Sequence, residues 1–256
     1  WLVKFEDGKE VEVVYIPEET RGTLCISSQV GCTLACKFCH TGTQTWVRNL
    51  TAYEIISQVL VAKDLIKDWD RNNRRLTNIV FMGMGEPFFN YENVAETVKI
   101  LNDTEGLDMS PRKTTISTSG LIPEILRCAE ELKTNLAISL HATNDKLRTD
   151  IMAINKKYPL DDLMKACQAY NKLLPNQKIT FEYVMLNGVN DKKEHAHELI
   201  NLINKYNLNA KINLIPFNPW QGCEYTNSQR DTISYFQKIL KDAKLVAPIR
   251  KTRGED

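Results

Sequence analysis

Short β-favouring runs alternate with helical patterns along almost the whole chain. Apolar residues recur at helical spacing between the runs, as at Ile55, Val59 and Ala62. Thr51 and Glu54 form a capping box that predicts where this helix begins. Strand then helix, repeated along the chain, predicts a parallel sheet with helices packed outside it. The predicted strands are Thr23–Ser28, Asn78–Met82, Thr114–Thr118, Leu136–Leu140, Ile179–Met185 and Ile212–Phe217.

The predicted fold class is α/β, a partial parallel (β/α)6 barrel with a short N-terminal β extension. A chain of 256 residues can form such a barrel as one domain. Asp7 and Gly8 lie between alternating apolar residues, which predicts a β-hairpin within Trp1–Pro17. We therefore assign residues 1–22 to the extension and residues 23–256 to the barrel.

Glycine, polar or reactive residues follow most of the predicted strands. Gly83–Pro87, Ser117–Gly120, Ser139–His141 and Asn218–Pro219 all stand at such positions. The carboxyl ends of the strands line the active site of parallel α/β barrels, so these residues are candidates for a site. Loops that are simply rich in turn residues are the alternative.

Net charge, the length of apolar runs and the number of cysteines argue against several classes of protein. The formal net charge of +1 argues against a protein that grips nucleic acid through bulk charge. No apolar run reaches the roughly 20 residues that span a bilayer. The seven cysteines are an odd number, and three of them lie close together. In a chain without secretory features this favours metal binding in a reducing cytoplasm over a disulfide framework.

The cysteine cluster consists of Cys32, Cys36 and Cys39. This spacing lets one loop wrap three thiolates around one metal centre, and thiolates suit both zinc and iron–sulfur clusters. A closed cubane cluster needs four protein ligands, so three would leave one iron open for a methionine moiety. The alternative is a zinc site with His40 as fourth ligand, although structural zinc sites usually draw ligand pairs from separated segments.

The spacing Cys-x3-Cys-x2-Cys, with Phe38 before the last cysteine, resembles the signature of the radical S-adenosylmethionine (SAM) superfamily. Further motifs follow in order along the chain, namely Val14–Pro17, Cys25–Cys32, Gly83–Pro87, Ser117–Gly120, Ser139–Ala142, Ile154–Tyr158, Val184–Leu186, Val189–Asp191, Asn213–Pro216 and Arg250–Gly254. Together these motifs resemble the RlmN family of adenine-carbon-2 RNA methyltransferases. The sister family Cfr, which methylates carbon 8, shares the cysteines but is less similar at Pro87, Ser119 and residues 250–254.

The resemblance implies cofactors and roles. Cys32, Cys36 and Cys39 match the ligands of a four-iron, four-sulfur (4Fe–4S) cluster whose open iron binds SAM. Cys25 matches a cysteine that resolves a covalent protein–RNA adduct and passes through a transient disulfide bond. Glu12 matches an acid–base residue. The residues that match SAM contacts are Gly85, Glu86, Ser117, Ser139, Leu140, His141 and Asn218.

The implied activity is methylation of adenine carbon 2 through a methyl-cysteine intermediate. The implied substrates are 23S rRNA, at the peptidyl-transferase centre, and the adenine 3′ of the anticodon in certain tRNAs. The other implied partner is an electron donor such as flavodoxin or ferredoxin, with no membrane partner and a monomeric enzyme. A carbon-8 methyltransferase and a non-catalytic, zinc-stabilised RNA-binding barrel remain as alternatives.

The chain departs from the family pattern at its ends. The methyl-carrying cysteine is expected a few residues after Arg250–Gly254, beyond Asp256, and an N-terminal accessory domain is also expected. We therefore expect that these 256 residues can bind the cluster and SAM yet fail to methylate RNA. Cys128 and Cys167 are predicted to be core residues, and Cys223 a loop thiol.

Overall fold

The computed structural model describes residues 1–251, in which strands and helices alternate. The strands are β1 (Leu2–Lys4), β2 (Glu10–Glu12), β3 (Val14–Pro17), β4 (Gly22–Cys25), β5 (Gln29–Val30), β6 (Arg48–Asn49), β7 (Asn78–Phe81), β8 (Thr114–Thr118), β9 (Asn135–Ser139), β10 (Ile179–Met185) and β11 (Ala210–Pro216). The helices are α1 (Ala52–Leu65), α2 (Tyr91–Asn102), α3 (Ile122–Arg127), α4 (Asp145–Ile151), α5 (Leu160–Leu173), α6 (Lys193–Lys205) and α7 (Arg230–Asp242). Each predicted strand run overlaps an observed strand, although the first ends at Cys25 rather than Ser28.

The predicted N-terminal hairpin is present. Strands β1 and β2 pair antiparallel, with Leu2 opposite Glu12 and Lys4 opposite Glu10. Gly8 occupies the turn with φ +78°, a left-handed conformation that glycine adopts at little cost. The backbone N–H of Phe5 donates to the Lys9 carbonyl at 2.8 Å and closes the loop.

The chain divides into two compact units, and each is described by itself. The first unit comprises Trp1–Ala35, Thr41–Thr118 and Arg127–Leu136. Its strands lie in the order β3, β4, β7 and β8, with β3 antiparallel to β4 and the others parallel. The central strand residues Leu24 and Ile79 are fully buried. This unit therefore has an apolar core beneath the carboxyl ends of β4, β7 and β8.

Helix α1 begins as its capping box predicts. The Glu54 N–H donates to Thr51 Oγ1 at 3.2 Å, and the Thr51 N–H donates to Glu54 Oε2 at 2.9 Å. Ile55, Val59 and Ala62 are buried, so the predicted apolar face is the face that packs inward. The predicted start of this helix and its predicted apolar face are both confirmed.

The second unit comprises Cys36–His40, Ser119–Leu126 and the chain from Ala137 onward. Strand β10 pairs in parallel with β9 on one side and β11 on the other. Every residue of β10 is buried, as is typical of a parallel strand covered on both faces. The amphipathic helices α6 and α7 contribute the buried residues Leu199 and Phe236 to this unit's core.

Two further predictions concern the burial of Cys128 and Cys167 and the motif Arg250–Gly254. Cys128 and Cys167 are fully buried, as expected of small core residues, and burial raises their thiol pKa values to about 11 and about 12. Of the motif Arg250–Gly254, residues 252–254 lie outside the described part of the chain. Within residues 1–251, none of the helices combines the length and apolar character needed to cross a membrane.

Candidate cofactor site

The Gly83–Pro87 segment follows β7 in the first unit and is held by Ser27. The Ser27 hydroxyl accepts the Met84 N–H at 2.9 Å and donates to the Glu12 carbonyl at 2.8 Å. A Cβ at position 83 would lie 2.6 Å from the Ser27 hydroxyl, so only glycine fits there. Ser27 therefore joins this turn to strand β2.

Gln29 holds the next two residues of the same turn. Its Oε1 accepts the Glu86 N–H at 2.8 Å, and its Nε2 donates to Asn49 Oδ1 at 2.8 Å. Gly85 has φ +97°, and a Cβ there would lie 2.5 Å from the Gln29 Cβ. Both the backbone angle and the close approach require glycine at position 85.

The Glu86 side chain is 2% exposed, and its Oε1 accepts the Phe88 N–H at 3.2 Å. A carboxylate in this setting suits a charge-assisted bond to an ammonium group. Gln29 lies within the Cys25–Cys32 motif, but the sequence alone assigns it no role. A polar residue directly before the Val30-Gly31-Cys32 run was the available signal.

The other predicted residues of the first unit lie on three strands. Glu12 is on β2, and its side chain is exposed. Cys25 is half-buried at the end of β4, paired with Val14 on one side and Val80 on the other. Ser117 is half-buried in β8. Of these three residues, Glu12 is linked to the Gly83–Pro87 turn, because its carbonyl accepts from the Ser27 hydroxyl that also accepts the Met84 N–H.

Cys32 is half-buried and follows a glycine that cannot be replaced without distortion. Gly31 has φ +76°, and a Cβ there would lie 2.3 Å from the Thr45 carbonyl oxygen. The backbone before Cys32 therefore packs directly against Thr45. This explains locally why a glycine precedes the first cysteine of the cluster.

Cys36 and Cys39 belong to the second unit, and Lys37, which lies between them in sequence, bonds to the end of α4. The Cys39 N–H donates to the Cys36 carbonyl at 3.0 Å, which closes a turn between the two cysteines. The Lys37 N–H donates to the Ile151 carbonyl at 3.1 Å, and Lys37 Nζ lies 2.6 Å from an Asp150 carboxylate oxygen. Cys36 is buried and Cys39 half-buried.

Trp220 holds the same segment from the loop after β11. Its indole N–H donates to the Phe38 carbonyl at 3.2 Å, and its ring lies 5.3 Å from that of His40. Phe38 packs edge-on against His141 at 4.7 Å and against the buried Val184 cluster. Sequence reasoning missed Trp220, since a lone tryptophan in a Pro/Gly loop carries no chemical signature.

His141 follows β9 with φ +58° and is 5% exposed. Its Nδ1 accepts the Val184 N–H at 3.0 Å, and its carbonyl accepts from Asn190 Nδ2 at 2.8 Å. Burial, with a smaller contribution from Arg148, lowers the pKa of His141 to about 3. The ring is therefore neutral, with its proton on Nε2, which is left as a hydrogen-bond donor.

The remaining predicted residues of the second unit differ in what they can offer. Ser139 is half-buried at the end of β9, and Leu140 is fully buried, with its N–H donating to the Glu182 carbonyl at 3.1 Å. Asn218 is exposed just after β11. Glu182 was missed: it is buried in β10, its Oε2 accepts from Asn213 at 2.7 Å, and desolvation raises its pKa.

The donor set fits an iron–sulfur cluster in its chemistry. All seven cysteines carry thiols rather than disulfide bonds, and Cys32, Cys36 and Cys39 come from one short segment. Residues 1–251 contain no group of three or more His, Cys, Asp or Glu side chains already placed to hold a metal ion. The ring of His40, the fourth ligand of the zinc alternative, packs on Trp220.

Comparison with known proteins places the chain in a family. The model of the radical SAM superfamily matches residues 26–200. The dual-specificity RNA methyltransferase RlmN of Ruegeria pomeroyi is 54% identical and aligns with 100% of this chain and 67% of its own length. RlmN of Rhodospirillum rubrum is 53% identical, with 100% and 60% covered. The chain thus spans about two thirds of the length of these relatives.

A solved structure of a radical SAM enzyme has a similar fold. The crystal structure of a radical SAM methyltransferase from Sphaerobacter thermophilus matches with a TM-score of 0.93 and 41% identity, over 99% of this chain and 73% of that one. The predicted α/β fold of the radical SAM type is therefore confirmed. The comparisons favour neither the carbon-8 methyltransferase nor the zinc-stabilised barrel.

The cofactor prediction is also confirmed at the level of the family. A 4Fe–4S cluster and SAM are the cofactors of the superfamily that matches residues 26–200. Three thiols close together in sequence are the kind of ligands that the cluster requires. The buried Glu86 beside Gly85 is the kind of residue that the ammonium group of SAM requires. This chain belongs to the RlmN family of the radical SAM superfamily.

Proposed function

We propose that the chain is the radical SAM part of an RNA methyltransferase that methylates carbon 2 of adenine in 23S rRNA and in certain tRNAs. The observation that carries this proposal is the alignment of the whole chain with relatives named dual-specificity RNA methyltransferase RlmN, at 54% and 53% identity. Cys32, Cys36 and Cys39 are the proposed ligands of the cluster.

The buried turn of the first unit is the proposed seat of the methionine end of SAM. The Glu86 carboxylate is buried and accepts the Phe88 N–H, while Gln29 Oε1 holds the Glu86 N–H, so the carboxylate is suited to receive an ammonium group. Gly85 has no side chain, and its backbone packs directly against Gln29. The other proposed contacts are Ser117, Ser139, Leu140, His141 and Asn218. Among these, the neutral His141 ring offers an Nε2–H donor to a hydroxyl or carboxylate.

When bound, the cluster and SAM supply a carbon-centred radical for the methyl transfer. Cys25 is proposed to resolve the covalent adduct with RNA through a transient disulfide, and its half-buried thiol at the end of β4 is compatible with that role. Glu12 is proposed as the acid–base residue. Its exposed carboxylate stays in water, while its backbone carbonyl is bound to Ser27.

The nearly balanced charge bears on how RNA is recognised. A net charge of +1 gives little long-range attraction to phosphates, so we propose that an adenine is read as a base splayed out of its stack. We further propose a cytoplasmic monomer that receives electrons from a donor such as flavodoxin or ferredoxin. The methyl-carrying cysteine is proposed to follow the Arg250–Gly254 motif.

The first test is the content of iron, sulfide and zinc in protein purified and reconstituted without oxygen. We expect about four irons and four sulfides per chain, as a cubane cluster requires. Substitution of Cys36 by alanine should abolish cluster binding, whereas Cys223→Ala, a half-buried loop thiol, should leave it intact. One zinc without sulfide would contradict the proposal.

The second test concerns the product. RNA modified by the full-length protein should carry the methyl group on adenine carbon 2, as determined by mass spectrometry of the isolated nucleoside. Methylation at carbon 8 would instead assign the Cfr reaction. Absence of SAM cleavage by protein that holds a reduced cluster would contradict a radical mechanism altogether.

A further inference from the structure

Arg148 is a fully buried arginine on α4 whose guanidinium is enclosed by acceptors. It donates to the carbonyls of Ser119 at 2.6 Å, Ser139 at 3.1 Å and Leu140 at 3.2 Å. A further bond runs to Asn155 Oδ1 at 2.9 Å. One side chain thus joins the backbone at the carboxyl end of β9 to the backbone that follows β8 in sequence.

The charge of this arginine has no carboxylate at contact distance. Among the described residues, the ion pairs within 4.0 Å do not include Arg148. The nearest chain of bonds runs through Asn155 Nδ2 to the exposed Asp145, at 2.8 Å. Burial lowers the pKa of Arg148 to about 10, which still leaves it protonated at neutral pH. Such a buried cation is unfavourable unless an anion offsets it.

Helix α4 also holds the cysteine segment of the second unit. Its last residue, Ile151, accepts the N–H of Lys37, directly after Cys36, and Asp150 pairs with the Lys37 side chain. Arg148 and Ile151 are three residues apart on this helix, so they lie on one face. A negative charge on Cys36 favours the protonated guanidinium and so acts against the lowering of the Arg148 pKa by burial.

We infer that Arg148 is a positioning residue for the iron–sulfur cluster, whose buried positive charge offsets the Cys36 thiolate and raises the reduction potential of the cluster. This inference rests on the proposed function, because it requires the cluster on Cys32, Cys36 and Cys39. A one-electron reduction by an external low-potential donor adds one negative charge and breaks no bond. A fixed cation in a medium of low dielectric constant favours that added charge.

The reduction potential of the cluster distinguishes this role from a purely structural one. A structural arginine would change stability when replaced, but it would leave the reduction potential of a correctly assembled cluster unchanged. A charge that acts on the cluster must shift the potential in a fixed direction. Removal of the positive charge lowers it, and a lysine that keeps the charge restores it.

The experiment measures the midpoint potential of the reconstituted full chain by dithionite titration and electron paramagnetic resonance. Arg148→Met is compared with Arg148→Lys, and Arg230→Met serves as the matched control, since Arg230 is exposed at the start of α7. If Arg148→Met does not fold, Arg148→Gln takes its place, because glutamine is also neutral but keeps hydrogen-bond donors.

We expect the neutral variants to shift the reduction equilibrium at least tenfold toward the oxidised cluster, which is about 59 mV for one electron. Arg148→Lys should stay near the wild-type potential, and Arg230→Met should not move it because exposed charges are screened. An unchanged potential in a neutral variant that holds a full cluster would overturn the inference. Failure of the wild-type chain to assemble a cluster would instead overturn the proposed function.

Discussion

The indole N–H of Trp220 donates to the backbone carbonyl of Phe38 at 3.2 Å, across 182 residues of sequence. That carbonyl lies between Cys36 and Cys39, two of the proposed cluster ligands, so the loop after β11 restrains the segment that presents them. The ring of His40 packs against the same tryptophan. This relationship makes the stability of the proposed metal centre depend on a residue remote from it in sequence.

Trp220→Phe should loosen this restraint. Phenylalanine keeps an aromatic ring but cannot donate to Phe38, and one lost hydrogen bond costs about 1 kcal/mol. We expect iron to be lost to a chelator about fivefold faster from the reconstituted variant, measured by absorbance. Trp69→Phe is the control, since Trp69 is exposed and donates to Asp64 at 2.6 Å. Equal rates in both variants would contradict the prediction.

Gly85→Ala should disrupt the Gly83–Pro87 turn. Alanine would be strained at φ +97°, at a cost of about 1–2 kcal/mol, and its Cβ would also lie 2.5 Å from the Gln29 Cβ. The added clash should cost a further 1–3 kcal/mol or so. We expect a larger loss of unfolding free energy in urea than for Gly8→Ala, together with weaker SAM binding by calorimetry.

Gly8 is a suitable reference because its φ is +78° and no atom would lie within 4 Å of an added Cβ. Gly8→Ala therefore reports the strain of a left-handed residue alone. Equal destabilisation by the two substitutions would show that the turn relaxes around the new methyl group.

Gln29→Met should weaken SAM binding without touching a predicted SAM contact. The buried Glu86 N–H would lose its acceptor, and such an unsatisfied group costs about 1–3 kcal/mol. We expect a lower unfolding free energy and a several-fold higher dissociation constant for SAM. Gln44→Met makes the same substitution at an exposed site and should change neither quantity. Unaltered SAM affinity in a stable Gln29→Met protein would refute the role given to this residue.

Stability should fall below pH 6.5 in a way that depends on His141. The folded pKa of about 3 lies below the ordinary value, so between these two values the unfolded chain binds a proton that the folded chain does not. Unfolding is then favoured as pH falls, by up to about 1.4 kcal/mol per pH unit. We expect His141→Asn, whose asparagine tolerates the positive φ, to lose less stability between pH 7.5 and 5.5 in urea titrations.

The neighbouring charges act equally in both proteins. Glu182 has a raised pKa, so its contribution favours the folded state as pH falls, with the opposite sign to that of His141. Arg148 keeps its charge throughout this range. The difference between wild type and variant therefore isolates His141, and parallel stability curves would mean that its ring becomes protonated in the folded protein.

The α/β class, the N-terminal hairpin, the start of α1 and the membership of the RlmN family could all be read from the sequence. These features depend on local signals, namely apolar periodicity, a capping box at Thr51 and Glu54, and closely spaced cysteines. The same motifs identified the cofactors. The individual site residues, from Glu12 to Asn218, stay predictions.

The residues that we propose to support the site could be found only in the folded chain. Arg148, Trp220 and Gln29 act through contacts with residues that lie 29, 182 and 57 positions away, and no local pattern encodes such distances. The neutral state of His141 likewise follows from burial, which excludes water and disfavours the charged ring. Partners and solvent exposure are properties of the folded chain, so the residues that tune the site emerge only when distant segments pack together.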